Sequence, residues 1–319
     1  MYLPQETRKD RYSYLFHKFF CHQDWNVGIV DEPICAFLEP DAKPGVRWFP
    51  PLGRGKYLAD PFGIVKEGEA YVFCEEFDYG SYKGVITRIT LSEDGRPASR
   101  RVAIETPFHI SYPYLFEWQG NVYCVPETHE AREIALFKAS ESADSWTNVG
   151  TLVGDFAGID PTIFRYQGRW WMACGNADAG ANQALYLWYA AELGGPWKSH
   201  AANPVKRGRS GTRPAGTPFI QKGELYRPAM DSSRTYGRRI VLNRVRKLTP
   251  KEFEEEPTII IEPFRRGRYR DGVHTLSAFG NLTLVDGLRI IFEKTEFRRA
   301  WHTESRELLR RLRPLLHGD

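Results

Sequence analysis

The sequence predicts an all-β chain, a five-bladed β-propeller followed by a C-terminal amphipathic α-helix. Three observations carry this: a motif that recurs about every 50 residues, a strand, glycine turn and strand within each copy, and a composition rich in aromatic residues and proline. Aromatics make up 14% of the 319 residues and prolines number 21. That length is ample to bury the core of one large domain.

The first copy runs from Asp60-Pro61 through Gly68 to Tyr71, the second from Tyr112-Pro113 through Gly120 to Tyr123, and the third from Asp160-Pro161 through Gly168 to Trp171. In each, a glycine follows the proline by seven residues and an aromatic follows that glycine by three. A fourth copy, Arg213-Pro214 to Gly223 and Tyr226, carries two extra residues, and His274 to Leu284 is a degenerate fifth. The first four prolines are 52, 48 and 53 residues apart. The glycine supplies the positive φ of a tight hairpin. Further strands are expected at residues 84–91, 134–137, 184–189 and 239–243. The unassigned stretch Trp25–Val30, with Ile34–Phe37, is expected to supply the strand that closes the last blade.

Residues 1–44 are thus read as an N-terminal segment, 45–292 as the propeller and 293–319 as a basic helix. Phe297–Leu316 has apolar residues at helical spacing and six arginines, which suits either solvated packing or peripheral contact with an acidic membrane surface. A net charge of +4 spread along the chain lacks the basic stripe of a nucleic-acid binder. No apolar run spans a bilayer and Met1–Asp10 lacks the apolar core of a signal peptide, so a cytoplasmic location, extending to the inner membrane surface, is expected. Five cysteines without CxxC spacing read as reduced thiols, not as a disulfide framework or a zinc site.

The first strand of each propeller blade lines the central channel, so residues that begin those strands converge at one mouth. At that position stand Asp60, Ser111 with Tyr112, Asp160, Arg213 and His274. On the second strands, Glu75 and Glu127 fall seven residues after the turn glycine; Glu76, Asn176 and Asp231 fall eight after it. Facing carboxylates are what glycosidic-bond chemistry needs, one neutral as acid and one ionised as base or nucleophile. Arg213 and Arg227 offer planar donors to an anionic part of a substrate. Tyr112, Tyr114, Trp118, Trp170 and Trp171 either stack on sugar rings or pack the core. No phosphate loop, Gly-x-Ser-x-Gly elbow or Cys/His nucleophile pair is present. No cofactor is required, and the one that the residues would allow is a cation near His274.

Ala59-Asp60-Pro61-Phe62, Glu75-Glu76, His109 to Pro113, Pro126-Glu127-Thr128, Asp160 to Phe164, Arg213 to Gly216, Tyr226-Arg227-Pro228 and His274-Thr275-Leu276 together resemble one family. It is the bacterial β-propeller family that looks like the N-terminal domain of plant glucosamine inositolphosphorylceramide transferase. The resemblance covers roughly residues 45–290. More distantly the chain is similar to the five-bladed furanosidase superfamily, which includes glycoside hydrolase families 43 and 32.

The resemblance implies a propeller acting on carbohydrate, with Asp60 at the place of the superfamily's catalytic base or nucleophile. That superfamily carries an Asp on the second blade and a Glu on the third, where this chain has Ser111-Tyr112 and Asp160. Either the acids have moved, with Glu127 or Glu76 as proton donor and Asp160 as acid or orienting carboxylate, or hydrolysis is absent. Glu75, His109, Tyr112, Arg213, Arg227, Asp231 and His274 are then expected to bind substrate. In the plant proteins transfer is attributed to a separate C-terminal domain, so that activity does not carry over directly. The function expected is glycosidase-like or glycosyltransferase chemistry in intracellular polysaccharide biosynthesis or processing, on a carbohydrate, nucleotide-sugar or lipid-linked glycan. A non-catalytic glycan-binding module serving a partner enzyme is the alternative.

Overall fold

A computed structural model describes residues 21–40, 44–66 and 68–292. The expected C-terminal helix lies outside the described residues. Five antiparallel sheets form a five-bladed β-propeller. Blade 1 is Lys56–Lys66, Glu69–Asp78, Lys83–Leu91 and Pro97–Ile104, from the axis outward. Blade 2 repeats the order with Ser111–Trp118, Asn121–Glu127, Glu133–Ala139 and Trp146–Gly154. Blade 3 has Gly158–Tyr166, Arg169–Asn176 and Ala184–Ala190, with two short outer pieces, Lys198–Ser199 and Lys206–Arg207, both paired to the third strand.

The two extra residues of the fourth repeat split its inner strand. Ser210–Pro214 and Phe219–Gln221 both pair with Glu224–Asp231, and Arg239–Leu248 and Phe253–Ile261 complete the sheet. Blade 5 is built from both ends of the described chain: Leu276–Phe279 and Leu282–Phe292, then Cys21–Val30 and Val46–Trp48. Ile34–Leu38 is a 3₁₀ turn, not a strand. Pro33 fixes its entry in extended backbone, and Ile34 and Phe37 bury on one side as a 3-residue period requires.

Inner and second strands are nearly continuous runs of buried residues, whereas outer strands such as Pro97–Ile104 and Trp146–Gly154 are largely exposed. The core fills the space between blades, with Phe62, Phe73, Tyr112, Tyr114 and Ile134 in its largest cluster. Each such side chain contributes about 1.5–3 kcal/mol by leaving water. Among the described residues no helix is long and apolar enough to cross a membrane.

Two backbone devices set the repeat. Gln119-Gly120, Gln167-Gly168 and Lys222-Gly223 have positive φ at both residues, the mirror-image turn whose twist matches a hairpin. Asp60, Tyr112 and Asp160 also have positive φ, of 52°, 45° and 48°, each immediately before a proline and each inside a register shift of its hairpin. A non-glycine residue held there costs about 1–3 kcal/mol and persists only where its surroundings over-determine it. The strain falls at the same repeat position three times, at the mouth of the channel.

Blades 4 and 5 join at Gly216, whose φ is 121°. A Cβ there would lie 1.8 Å from the Leu276 carbonyl oxygen, which accepts from Thr217 N–H, while Leu276 N–H donates to Ala215. Gly120 has positive φ but open space around it. Gly216→Ala is therefore expected to cost about 3 kcal/mol or more, against about 1 kcal/mol for Gly120→Ala. Chemical denaturation of both variants checks this ordering.

Candidate active site

The inner strands begin, and the second strands end, at one face of the propeller. There the fold gathers Asp60, Glu75, Glu127, Asp160 and Asp286, all buried. Around them stand Arg213, His109, His129, His274 and Tyr236.

Asp60 and His274 meet across the junction of blades 1 and 5. Thr275 Oγ1 donates to Asp60 Oδ1 at 2.8 Å, and His274 Nδ1 lies 3.5 Å from the same oxygen. Asp286, on the second strand of blade 5, organises the group. It takes the His274 ring at 2.6 Å and the backbone N–H groups of Asp60, His274 and Thr275 at 3.2, 2.9 and 3.0 Å. Burial opposes these charges, but the pairing prevails: His274 is raised and Asp286 lowered from their ordinary values. Burial raises Asp60, with His274 opposing and Asp286 adding to the rise. Trp25 stacks on the His274 ring at 3.9 Å between centroids. One ligand atom from each of Asp60, His274 and Asp286 lies within 4.8 Å of the others, a spacing that could hold a cation. Hydrogen bonds also join these residues.

On blades 2 and 3 a second ionic group forms. Arg213 grips Asp160 through Nε and, at 3.1 Å, through Nη2; that same Nη2 lies 3.7 Å from Glu127. Glu127 also pairs with His129 Nδ1 at 2.7 Å and accepts the Asp160 N–H at 3.1 Å. Burial alone would raise Glu127, yet His129 and Arg213 outweigh it and bring the carboxyl down to about 2. His129 rises in return. Asp160 is raised by burial and by the neighbouring Glu127 charge against the pull of Arg213. The Arg213 guanidinium also lies over the Tyr236 ring, 5.3 Å from its centroid.

Glu75 is different. It sits opposite Ala59 in the blade 1 hairpin, beside the bulge that carries Asp60. Among the described residues it makes no ion pair with Arg or Lys, and its basic neighbour is His109 Nε2 at 3.7 Å. His109 Nδ1 accepts the Gly84 N–H at 3.0 Å, which leaves the ring proton on Nε2, facing Glu75. Burial lowers His109 and keeps it neutral. Burial first, then the charges of Asp60, Glu127 and Asp160, hold Glu75 well above the ordinary carboxylate range. Gly84 makes room for this pair, since a Cβ there would lie 2.7 Å from Glu75 Oε1 and from the Ile110 carbonyl oxygen.

The remaining expected residues lie elsewhere. Glu76 alternates to the opposite face of its strand and meets Thr87, Lys56 and Arg100. Arg227 is locked onto Glu255 and the carbonyl oxygens of Gly211 and Thr212, where it braces the strand that carries Arg213. Asp231 pairs with Arg239. Tyr112 is buried, and its hydroxyl bonds Thr162 at 2.9 Å and accepts the Gly216 N–H at 2.8 Å, tying blade 2 to blades 3 and 4. Sequence reasoning missed Asp286, Tyr236 and His129. Asp286 stands six residues past Gly280 of the degenerate fifth turn, short of the seven- and eight-residue positions that carry the polar residues of the other copies.

A family model described as glucosamine inositolphosphorylceramide transferase 1, N-terminal, matches residues 53–274. Glucosamine inositolphosphorylceramide transferase 1 of Oryza sativa subsp. japonica is 30% identical over 269 residues, 79% of this chain and 36% of the rice protein. The Arabidopsis thaliana protein of the same name is 29% identical over 255 residues, 73% of this chain and 32% of its own length. The chain thus spans about a third of the curated relatives that it matches. Among solved structures, the family 117 glycoside hydrolase Zg3597 of Zobellia galactanivorans superposes with a TM-score of 0.53 at 15% identity, over 85% of this chain and 91% of that one. A putative glycoside hydrolase from Bacteroides ovatus gives 0.53 at 13% identity, over 75% and 88%. These two likenesses concern the fold. The sequence matches go further: the chain belongs to the family of the N-terminal domain of glucosamine inositolphosphorylceramide transferase 1.

Proposed function

We propose that this propeller acts on carbohydrate and makes or cleaves a glycosidic bond, with Glu75 as proton donor and Asp60 as base or nucleophile. The observation that carries the reading is Glu75: a buried carboxyl without an Arg or Lys partner among the described residues, raised by the carboxylates around it. A donor must hold its proton at working pH, and a raised pKa does that. Glu127 is held ionised by His129 and Arg213; Asp160, though raised as Glu75 is, has both carboxyl oxygens engaged by Arg213. Neither suits the donor role expected from sequence. Their part is to fix Arg213, whose remaining donor edge contacts Asn182 at 3.3 Å.

In the reaction the Glu75 proton passes to the departing glycosidic oxygen as its bond to the sugar breaks. Asp60 either takes a proton from the incoming hydroxyl or bonds the sugar carbon itself. Water or a second sugar serves as acceptor, and the relatives' names favour an acceptor other than water. Intracellular glycan synthesis is the setting that we favour, with nucleotide-sugar or lipid-linked glycan as substrate. The glycan-binding alternative has one observation in its favour: Asp160 and Glu127 are both committed to ion pairs.

Asp60→Asn is expected to lower turnover by about 10²–10⁴-fold while leaving sugar affinity nearly intact. Retained turnover sinks the base assignment; a wild-type protein that binds glycan with no turnover selects the binding module. On aryl glycosides, Glu75→Gln is expected to lose far more rate with a poor leaving group than with an activated one, since only the former needs the proton. A uniform loss across leaving groups rejects Glu75 as donor.

The Glu127 pairing also sets a stability profile. Its lowered pKa contributes stability that is present above the unfolded value of about 4.3 and lost as pH falls towards 2. The raised His129 acts in the opposite sense, its share present below about 6.5 and lost as pH rises through its folded value. Glu127→Gln is expected to flatten both limbs of a melting-temperature profile between pH 3 and 8, a range of about one to two units on either side of those two values.

A further inference from the structure

Two loops of blades 4 and 5 overlook the same face of the propeller. Residues 232–238 follow the second strand of blade 4, and residues 262–275 lead into the inner strand of blade 5, so both lie where second strands end and inner strands begin. They touch directly. Val273 N–H donates to the Gly237 carbonyl at 2.8 Å, and a Cβ at Gly272 would meet that oxygen at 2.5 Å. His274 follows, with its ring edge 3.1 Å from a Cβ placed on Gly237.

Along these two loops stand Arg234, Arg238, Arg265, Arg266, Arg268 and Arg270, all exposed except the half-buried Arg238. Among the described residues none of the six uses its side chain in an ion pair or hydrogen bond, whereas nearby Asp231 and Glu262 are both taken by Arg239. Asp271 is the other acid of these loops. Six guanidinium groups on two loops that touch through Gly237 and Val273 form a positive rim to which the ion pairs of the fold contribute nothing. Arg213, at the axis, is already committed to Asp160 and Glu127, so the arginines without such partners lie at the rim. A substrate that carries negative charge therefore has to leave that charge at the rim while its neutral sugar enters.

We propose that this arginine rim is a phosphate-binding subsite, taking a phosphate ester carried by the same glycan whose glycosidic bond meets Asp60 and Glu75. The inference deepens the glycosidic reading and rests on it. Guanidinium suits the task because its planar, always-charged fork matches two phosphate oxygens at once. A bilayer surface is the competing source of phosphate. The rim is disfavoured as a bilayer contact because it borders the channel mouth at His274.

The test uses the full chain and its Arg234→Gln, Arg238→Gln, Arg268→Gln, Arg270→Gln quadruple variant, all four positions lying outside the core. Calorimetric titration with glucose, glucose 1-phosphate and inorganic phosphate is compared with co-sedimentation on phosphatidylglycerol vesicles. The expected result is glucose 1-phosphate binding at least tenfold tighter than glucose, with a preference that weakens with salt and disappears in the variant at an unchanged melting temperature. Equal binding of the two sugars, no binding of phosphate, or a preference that survives the four substitutions overturns the proposal, as does binding to vesicles alone. Glu75→Gln separates the two readings: it should leave phosphate affinity intact, so a rim that binds phosphate beside a Glu75 variant with full turnover sinks the donor assignment and not the subsite.

Discussion

Too many negative charges near one axis is the constraint on which this structure turns. Five carboxyl groups are buried at the channel mouth, and two separate cation groups neutralise three of them. Asp286 is paired with His274 and with backbone N–H groups, while Glu127 and Asp160 share Arg213, with His129 taking the far side of Glu127. Among the described residues Glu75 receives no such cation. An unpaired buried charge is expensive, and the cheapest resolution is for the group to keep its proton. The donor role proposed for Glu75 follows from how the cations are distributed.

The backbone pays attention to the same place. Asp60, Tyr112 and Asp160 sit at positive φ before proline, where the bulge in each hairpin re-aims the side chain that begins the inner strand. On blades 1 and 3 that side chain is a carboxylate, but on blade 2 it is Tyr112, whose hydroxyl fastens neighbouring blades. The second blade thus carries a structural strut at this position. Glu127, on the next strand of that blade, supplies a carboxylate to the axis instead.

Much of this was legible in the sequence because a propeller repeats its geometry. The Pro-to-Gly spacing marked three inner strands, and a stretched fourth and a degenerate fifth copy completed the ring, with Asp60, Asp160, Arg213 and His274 at one mouth. What a period cannot report is which side of a strand a residue faces once bulges intervene. Glu75 and Glu76 are adjacent, yet pairing with Ala59 puts one at the site, and pairing with Leu58 puts the other among Lys56, Arg100 and Thr87. Arg227 looked equivalent to Arg213, but its partner Glu255 comes from an outer strand that no motif marked. Asp286 and Tyr236 escaped because the fifth copy is degenerate and because the turn bearing Tyr236 lies outside the repeated core.

The central claim is that Glu75 keeps its proton where an ordinary carboxyl has lost it. The most direct measurement is an infrared difference titration of the carboxyl C=O stretch, wild type minus Glu75→Gln, followed from acid to neutral pH. A protonated carboxyl band assigned to Glu75 that persists well above the ordinary range near 4.3 is expected. A Glu75 band that vanishes in that ordinary range, leaving an ionised carboxylate at neutral pH, would contradict the account.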